Sequence, residues 1–176
     1  MKQQETLFAM PKPARAKPRQ LMHVMDAGDY RGSFSADRPD RHCARFRCRR
    51  CELETEWIRM DTVSESKRGI PCPACNKVDS MFLPLKAEYF DAFVSGHKTT
   101  EYRQNGPRFN DATCKRFRRV VLSSGYGKHN RCLGMITEFS ISQEPCERDD
   151  WKACFGDLVC DVACIEINAF PGVPVP

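Results

Sequence analysis

No stretch of this 176-residue chain approaches the roughly 18 consecutive apolar residues that a membrane-spanning helix needs. An apolar leader core is missing too: Leu7-Phe8-Ala9-Met10 is short and stops at Pro11. These absences set the expectation of a reducing cytoplasm, where disulfides do not persist. There is no internal repeat, which excludes a solenoid or a propeller. Histidine is scarce, at four residues, and each stands alone; His97 and His129 enter only as neighbours of other motifs. Acidic residues are absent from 113–131, which instead carries Lys115, Arg116, Arg118, Arg119, Lys128 and Arg131.

Cysteine, by contrast, is abundant, at eleven residues. In a reducing compartment, paired cysteines read as metal ligands. Cys48-Arg-Arg-Cys51 and Cys72-Pro-Ala-Cys75 are two C-x-x-C pairs separated by twenty residues. Four thiolates at that spacing suit one structural zinc in a ribbon. Such a site is closed, with no position left for water, and it holds together a segment with little core of its own. Ala44, Phe46 and Cys48 alternate with Arg45 and Arg47 as in a strand. Thr55, Trp57 and Arg59 alternate with Glu56, Ile58 and Met60 as in a second, and Lys67-Arg68-Gly69 reads as a turn. Cys114, Cys132, Cys146, Cys154, Cys160 and Cys164 form no such pair and read as small apolar fillers.

The net charge of +5 is unevenly spread: residues 1–51 carry +7 and the remainder −2. Clustered cations suit a polyanion, through phosphate contact and counterion release. Within the ribbon, Arg45, Arg47, Arg49 and Arg50 surround Phe46, with Trp57 on the partner strand. That basic and aromatic interleaving fits nucleic acid, whereas Phe46 and Trp57 are equally well explained as the ribbon's own small core. For any single arginine, a solvated surface is the simpler account.

Leu83 to Arg103, LPLKAEYFDAFVSGHKTTEYR, organises the second half. Met81, Phe82, Leu83 and Leu85 lead into a stripe of Ala87, Phe90, Phe93 and Val94 at helical spacing, and Gly96 stands where helices stop. Residues 98–103 then alternate, which puts Thr99, Glu101 and Arg103 on one face of a strand and Lys98, Thr100 and Tyr102 on the other. Taken alone, Glu101 and Arg103 are accounted for by a surface ion pair worth about 0–1 kcal/mol.

The run Ser95-Gly96-His97-Lys98-Thr99-Thr100-Glu101-Tyr102-Arg103, with Leu85, Lys86, Tyr89 and Phe90 before it, resembles the ASCH family of PUA-like domains. Its pattern is a strand, a helix and then G-x-K-T-x-E-x-R. The likeness extends through residues 119–127 and the strand from Gly134 to Ile141, about the C-terminal half of the chain. It implies a curved β-barrel with a cleft lined by Lys98, Thr99, Glu101 and Arg103, closed by Ser124, Gly125 and Tyr126. A cation for phosphate, a carboxylate for a base amino group and an aromatic for stacking would equip that cleft for a nucleotide. The wider family is also said to include acetylcytidine amidohydrolases with a nucleophilic Thr three residues after the motif Lys, and ribonucleases. Here that position is Glu101, so an enzyme of this chain would rely on Lys98 and Glu101.

The fold class expected is therefore α+β: a basic arm over 1–40, a zinc ribbon over 41–80, a PUA-like mixed barrel with one or two helices over 81–170, and a tail over 171–176. Further strands are expected at Phe117–Leu122, Cys132–Ile141 and Leu158–Ile167, and an acidic turn or helix at Glu147–Phe155. The expected partner is nucleic acid, RNA ahead of DNA, or a nucleotide. A protein-binding adaptor is the other alternative. The combination resembles small phage or prophage accessory proteins, which would place it in a host cytoplasm.

Overall fold

The computed structural model describes residues 19–30, 41–127 and 129–175. Of the basic arm expected over 1–40, residues 1–18 and 31–40 lie outside them. The described residues are mostly β: two curled sheets and three short α-helices. No described helix is long and apolar enough to cross a membrane.

The first sheet has the order β3-β2-β1-β4, with β1 at Leu21–Tyr30, β2 at Arg41–Arg47, β3 at Ile58–Arg59 and β4 at Ile70–Pro71. From Ala44 on, β2 follows its alternation: Ala44 and Phe46 are buried, Arg45 is half-buried and Arg47 is exposed. The strand expected from Thr55 to Met60 shrinks to β3, with one bridge between Arg47 and Glu54 ahead of it. β1 lies within the segment expected as a basic arm. Part of the 1–40 segment is a ten-residue strand that pairs with β2 and, through Leu21 and Met22, with β4. Its lead-in ties to the second cysteine pair: Cys72 N donates to Gln20 O at 3.0 Å, and Gln20 N to Asn76 Oδ1 at 3.0 Å.

The Lys67-Arg68-Gly69 turn is the end of a helix, α1 at Val63–Arg68. Thr62 caps it, accepting from Glu65 N at 3.0 Å, and Glu65 Oε2 accepts from Asp61 N at 2.9 Å. This is a capping-box pairing of a T-x-x-E sequence, reaching one residue further back than usual. Gly69 stops the helix at φ +77°, and a Cβ there would lie 2.4 Å from Met22 O, so β1 and α1 approach this closely only at glycine.

The second sheet has the order β5-β7-β8-β9-β6, with β5 at Met81–Leu85, β6 at Thr100–Gln104, β7 at Arg119–Ser124, β8 at Arg131–Ser142 and β9 at Val162–Phe170. Only β5 and β7 are parallel. Between β5 and β6, α2 (Ala87–Val94) buries Phe90 and Phe93 in the core of the second sheet, and Gly96 follows at φ +79°. The last strand begins later than expected, because Leu158 and Val159 are exposed in a loop.

The two sheets share a core. β8 buries both faces: Cys132 and Ile136 point toward α2, while Leu133 and Met135 join Met22, Phe46, Ile58 and Ile70 of the first sheet. Phe170, Val173 and Val175 of the C-terminal segment pack there as well. Polar contacts rim this seam. Arg59 Nη2 donates to both oxygens of Glu138 at 2.6 and 2.7 Å. Arg116 reaches Asp61 and Glu65 at 3.1 and 3.3 Å, donates to Thr137 O at 2.8 Å, and contacts the Arg59 carbonyl. Arg118 pairs with Asp79 at 2.7 Å, and Arg119 is buried. Much of the basic run at 113–131 is therefore spent inside the molecule rather than offered to a partner.

Candidate functional site

Two clusters of ionisable side chains stand out. In the first sheet, the Sγ atoms of Cys48, Cys51, Cys72 and Cys75 lie within 4.8 Å of one another, close enough to hold a metal ion. Cys48 and Cys75 are 3.8 Å apart, and Cys51 and Cys72 3.6 Å. A tetrahedron with metal–sulfur bonds of about 2.3 Å has edges of about 3.8 Å, so the four sulfurs already stand at coordination spacing. Each C-x-x-C segment folds back on its first sulfur. Burial raises the Cys48 thiol, but the backbone N–H groups of Cys51 and Arg50 outweigh it and bring the group below its usual value. At Cys72 and Cys75 burial prevails and pushes the thiols up, Cys75 to about 11. Thiols raised by burial ionise when a dication neutralises them. Of the two ribbon aromatics, Phe46 is fully buried and Trp57 is 43% exposed. Arg45 and Arg47 are paired with Glu54 at 3.7 and 3.5 Å, and Arg47 also with Glu52 at 3.2 Å. Arg49 and Arg50 are exposed.

The second cluster lies where the second sheet is open. β5 and β6 are its two edges, and between them is a cavity of about 460 Å³. Arg103 crosses the gap, donating from Nη2 to Pro84 O at 2.6 Å. Glu101, one pleat before it, is 6% exposed. Its Oε1 lies 2.9 Å from Arg103 Nη2, and its Oε2 4.0 Å from Lys98 Nζ, beyond hydrogen-bond reach. Burial pushes the Glu101 carboxyl up, against the pull of Arg103 and then Lys98. The Lys98 ammonium is boxed by rings, 4.9 Å from the Tyr102 centroid, 5.4 Å from Tyr89 and 5.8 Å from Phe93. Arg103 Nε is buried without a hydrogen-bond partner.

The residues anticipated from sequence divide here. Lys98, Glu101, Arg103, Gly125 and Tyr126 line the cavity; Thr99 and Ser124 do not. Thr99 is exposed and precedes the strand, its carbonyl accepting from Ile167 N at 2.7 Å. Lys98 also precedes it, anchored by its backbone N–H to Ala92 O at 3.0 Å, so strand alternation does not bind it and its side chain reaches the same hollow as Glu101. Gly125 N donates to Leu85 O at 2.8 Å, which holds the loop over the cavity and leaves Tyr126 83% exposed at its mouth. His97 is exposed and bonds Ser95 Oγ at 2.8 Å, and His129 is exposed; neither lines the cavity.

One wall was not anticipated. Helix α3, Asp149–Phe155, supplies Asp150, Trp151, Cys154 and Phe155. Trp151 and Phe155 stack at 4.2 Å, and the indole N–H donates to Leu158 O at 2.9 Å. The signal was the i, i+4 spacing of two aromatics. Tyr89 completes the wall, its hydroxyl 3.6 Å from Cys154 Sγ; that contact, and then burial, push the phenol to about 12.

The chain matches no protein-family model and no curated protein.

Proposed function

We propose that the cavity binds a nucleotide or a base of single-stranded nucleic acid, RNA ahead of DNA, in a domain of the ASCH, PUA-like type. The observation that carries this reading is Glu101: a carboxylate 6% exposed at the floor of an aromatic-walled cavity, with one oxygen out of hydrogen-bond reach of Lys98. A buried carboxylate held among cations but left with an open acceptor suits a ligand that donates to it. Tyr89, Tyr126 and Phe155 offer ring surface for stacking a base, worth about 1–3 kcal/mol per base in single-strand sites. The volume falls within the roughly 300–1,000 Å³ of small-molecule sites. Exposed Lys86 on the rim supplies a phosphate contact, and exposed Arg49 and Arg50, in the turn after β2, offer further cations to a longer strand. In the same reading the cysteine cluster carries one structural zinc, which keeps that sheet folded.

Binding is favoured over hydrolysis because neither Thr99 nor Thr100 lines the cavity, and a Thr nucleophile needs both access and a base within hydrogen-bond reach. An amidohydrolase or ribonuclease would have to work without a threonine nucleophile, through Lys98 and Glu101. The test is fluorescence titration of the purified chain with single-stranded RNA and DNA oligonucleotides at several salt concentrations. Affinity falls steeply with salt, and Lys98→Ala lowers it. Salt-independent affinity, or full affinity in Lys98→Ala, contradicts the reading.

A further inference from the structure

The floor of the cavity presents a definite order of hydrogen-bonding groups. Lys98 Nζ, with three N–H donors, makes no hydrogen bond to any described residue, and its nearest acid oxygen, Glu101 Oε2, is 4.0 Å away. Glu101 Oε2 is thus an open acceptor on a side chain more than nine-tenths buried. Beyond it stands Arg103, whose Nη2 is committed to Pro84 O and Glu101 Oε1 while its other terminal nitrogen, Nη1, makes no hydrogen bond to a described residue. Read across the floor, the pattern is donor, acceptor, donor.

We infer that the base this site accepts is a cyclic imide of the uracil or thymine type, its N3–H donated to Glu101 Oε2 and its two flanking carbonyls accepting from Lys98 and Arg103. The inference rests on the nucleotide reading above and narrows it. An imide edge runs acceptor, donor, acceptor, the complement of this floor. Each other base puts like against like. Cytosine turns the N3 lone pair toward the carboxylate, and adenine does the same with N1. Guanine sets its amino group against one of the two cations. A buried site built to hydrogen-bond a particular edge rejects the wrong one strongly, because its own polar groups are left unpaired. The cost of leaving these groups unmatched is raised by the burial of Glu101 and by the rings around Lys98.

The experiment is calorimetric titration of the full chain with uridine, thymidine, cytidine, adenosine, guanosine and N3-methyluridine. Uridine and thymidine each bind at least ten-fold more tightly than the other four. N3-methyluridine decides most sharply, because it keeps the ring, the carbonyls and the sugar and removes only the donated proton. In Glu101→Gln the ratio of uridine to N3-methyluridine affinity drops toward one. Should that variant fail to fold, the wild-type comparison stands by itself. Cytidine or N3-methyluridine binding as tightly as uridine overturns the imide assignment while leaving a base-binding cavity in place. Absence of binding by all six overturns the assignment and the nucleotide reading together.

Discussion

The four cysteines and the Lys98, Glu101, Arg103 floor both gather ionisable groups, and they differ in what is left over. Around the cysteines the set is complete: four like ligands at tetrahedral spacing, two of them wrapped by their own backbone N–H groups. In the cavity the set is incomplete. One carboxylate oxygen, one ammonium and part of one guanidinium have no partner at hydrogen-bond distance among the described residues, and the hollow beside them is open. A closed set contributes to folding, whereas an open set costs stability and is retained for what it binds.

The largest expected effect breaks the closed side. Cys72→Ser removes one thiolate from a site of a kind that contributes about 10–16 kcal/mol when it holds zinc. The first sheet then unfolds. Because Leu133 and Met135 of β8 share its core, the second sheet loses stability with it, seen by circular dichroism as one transition at lower temperature. A second transition at the wild-type temperature would show the sheets to be independent. Phe46→Ala asks the same question without touching the cysteines. A fully buried phenylalanine costs about 3–5 kcal/mol on truncation, read from the urea midpoint of the whole chain.

Smaller effects sharpen the open side. Lys98→Ala weakens nucleotide binding about ten-fold, near 1.4 kcal/mol, with little change in melting temperature, since its ammonium makes no hydrogen bond to described residues. Arg49→Ala and Arg50→Ala each flatten the dependence of log affinity on log salt by about 0.7 for a single strand. Arg47→Ala changes it less, since Glu52 and Glu54 already hold that side chain.

Sequence disclosed the closed site far better than the open one, and the reason is range. Two C-x-x-C pairs and the alternation of β2 are local patterns, and so is the α2 stripe ending at Gly96. Thr62-x-x-Glu65 is equally local, and Lys67-Arg68-Gly69 is the end of the helix it begins. The cavity depends on contacts no window contains. Period-two alternation placed Lys98 opposite Glu101, but the strand starts only at Thr100, which frees Lys98 to turn inward. Glu101 and Arg103 look like a surface pair until Pro84, Tyr89 and α3 arrive from elsewhere to bury them. The shared core went unseen for the same reason: an apolar pattern on both faces of β8 says that both are covered, not by what.

Glu101 separates stability from binding in one side chain. Burial raises its folded-state pKa above the unfolded value, so its favourable contribution is complete at low pH, where it is protonated in both states. That contribution is lost as pH rises through the folded value. Above that folded value the ionised side chain costs stability, and Glu101→Gln removes that cost. The most direct measurement is the melting temperature and the uridine affinity of wild type and Glu101→Gln, side by side at pH 7. The account predicts a variant that melts at the same temperature or higher and binds uridine at least ten-fold more weakly. A variant that melts lower and binds as well as wild type would show Glu101 to be part of the scaffold and would contradict it.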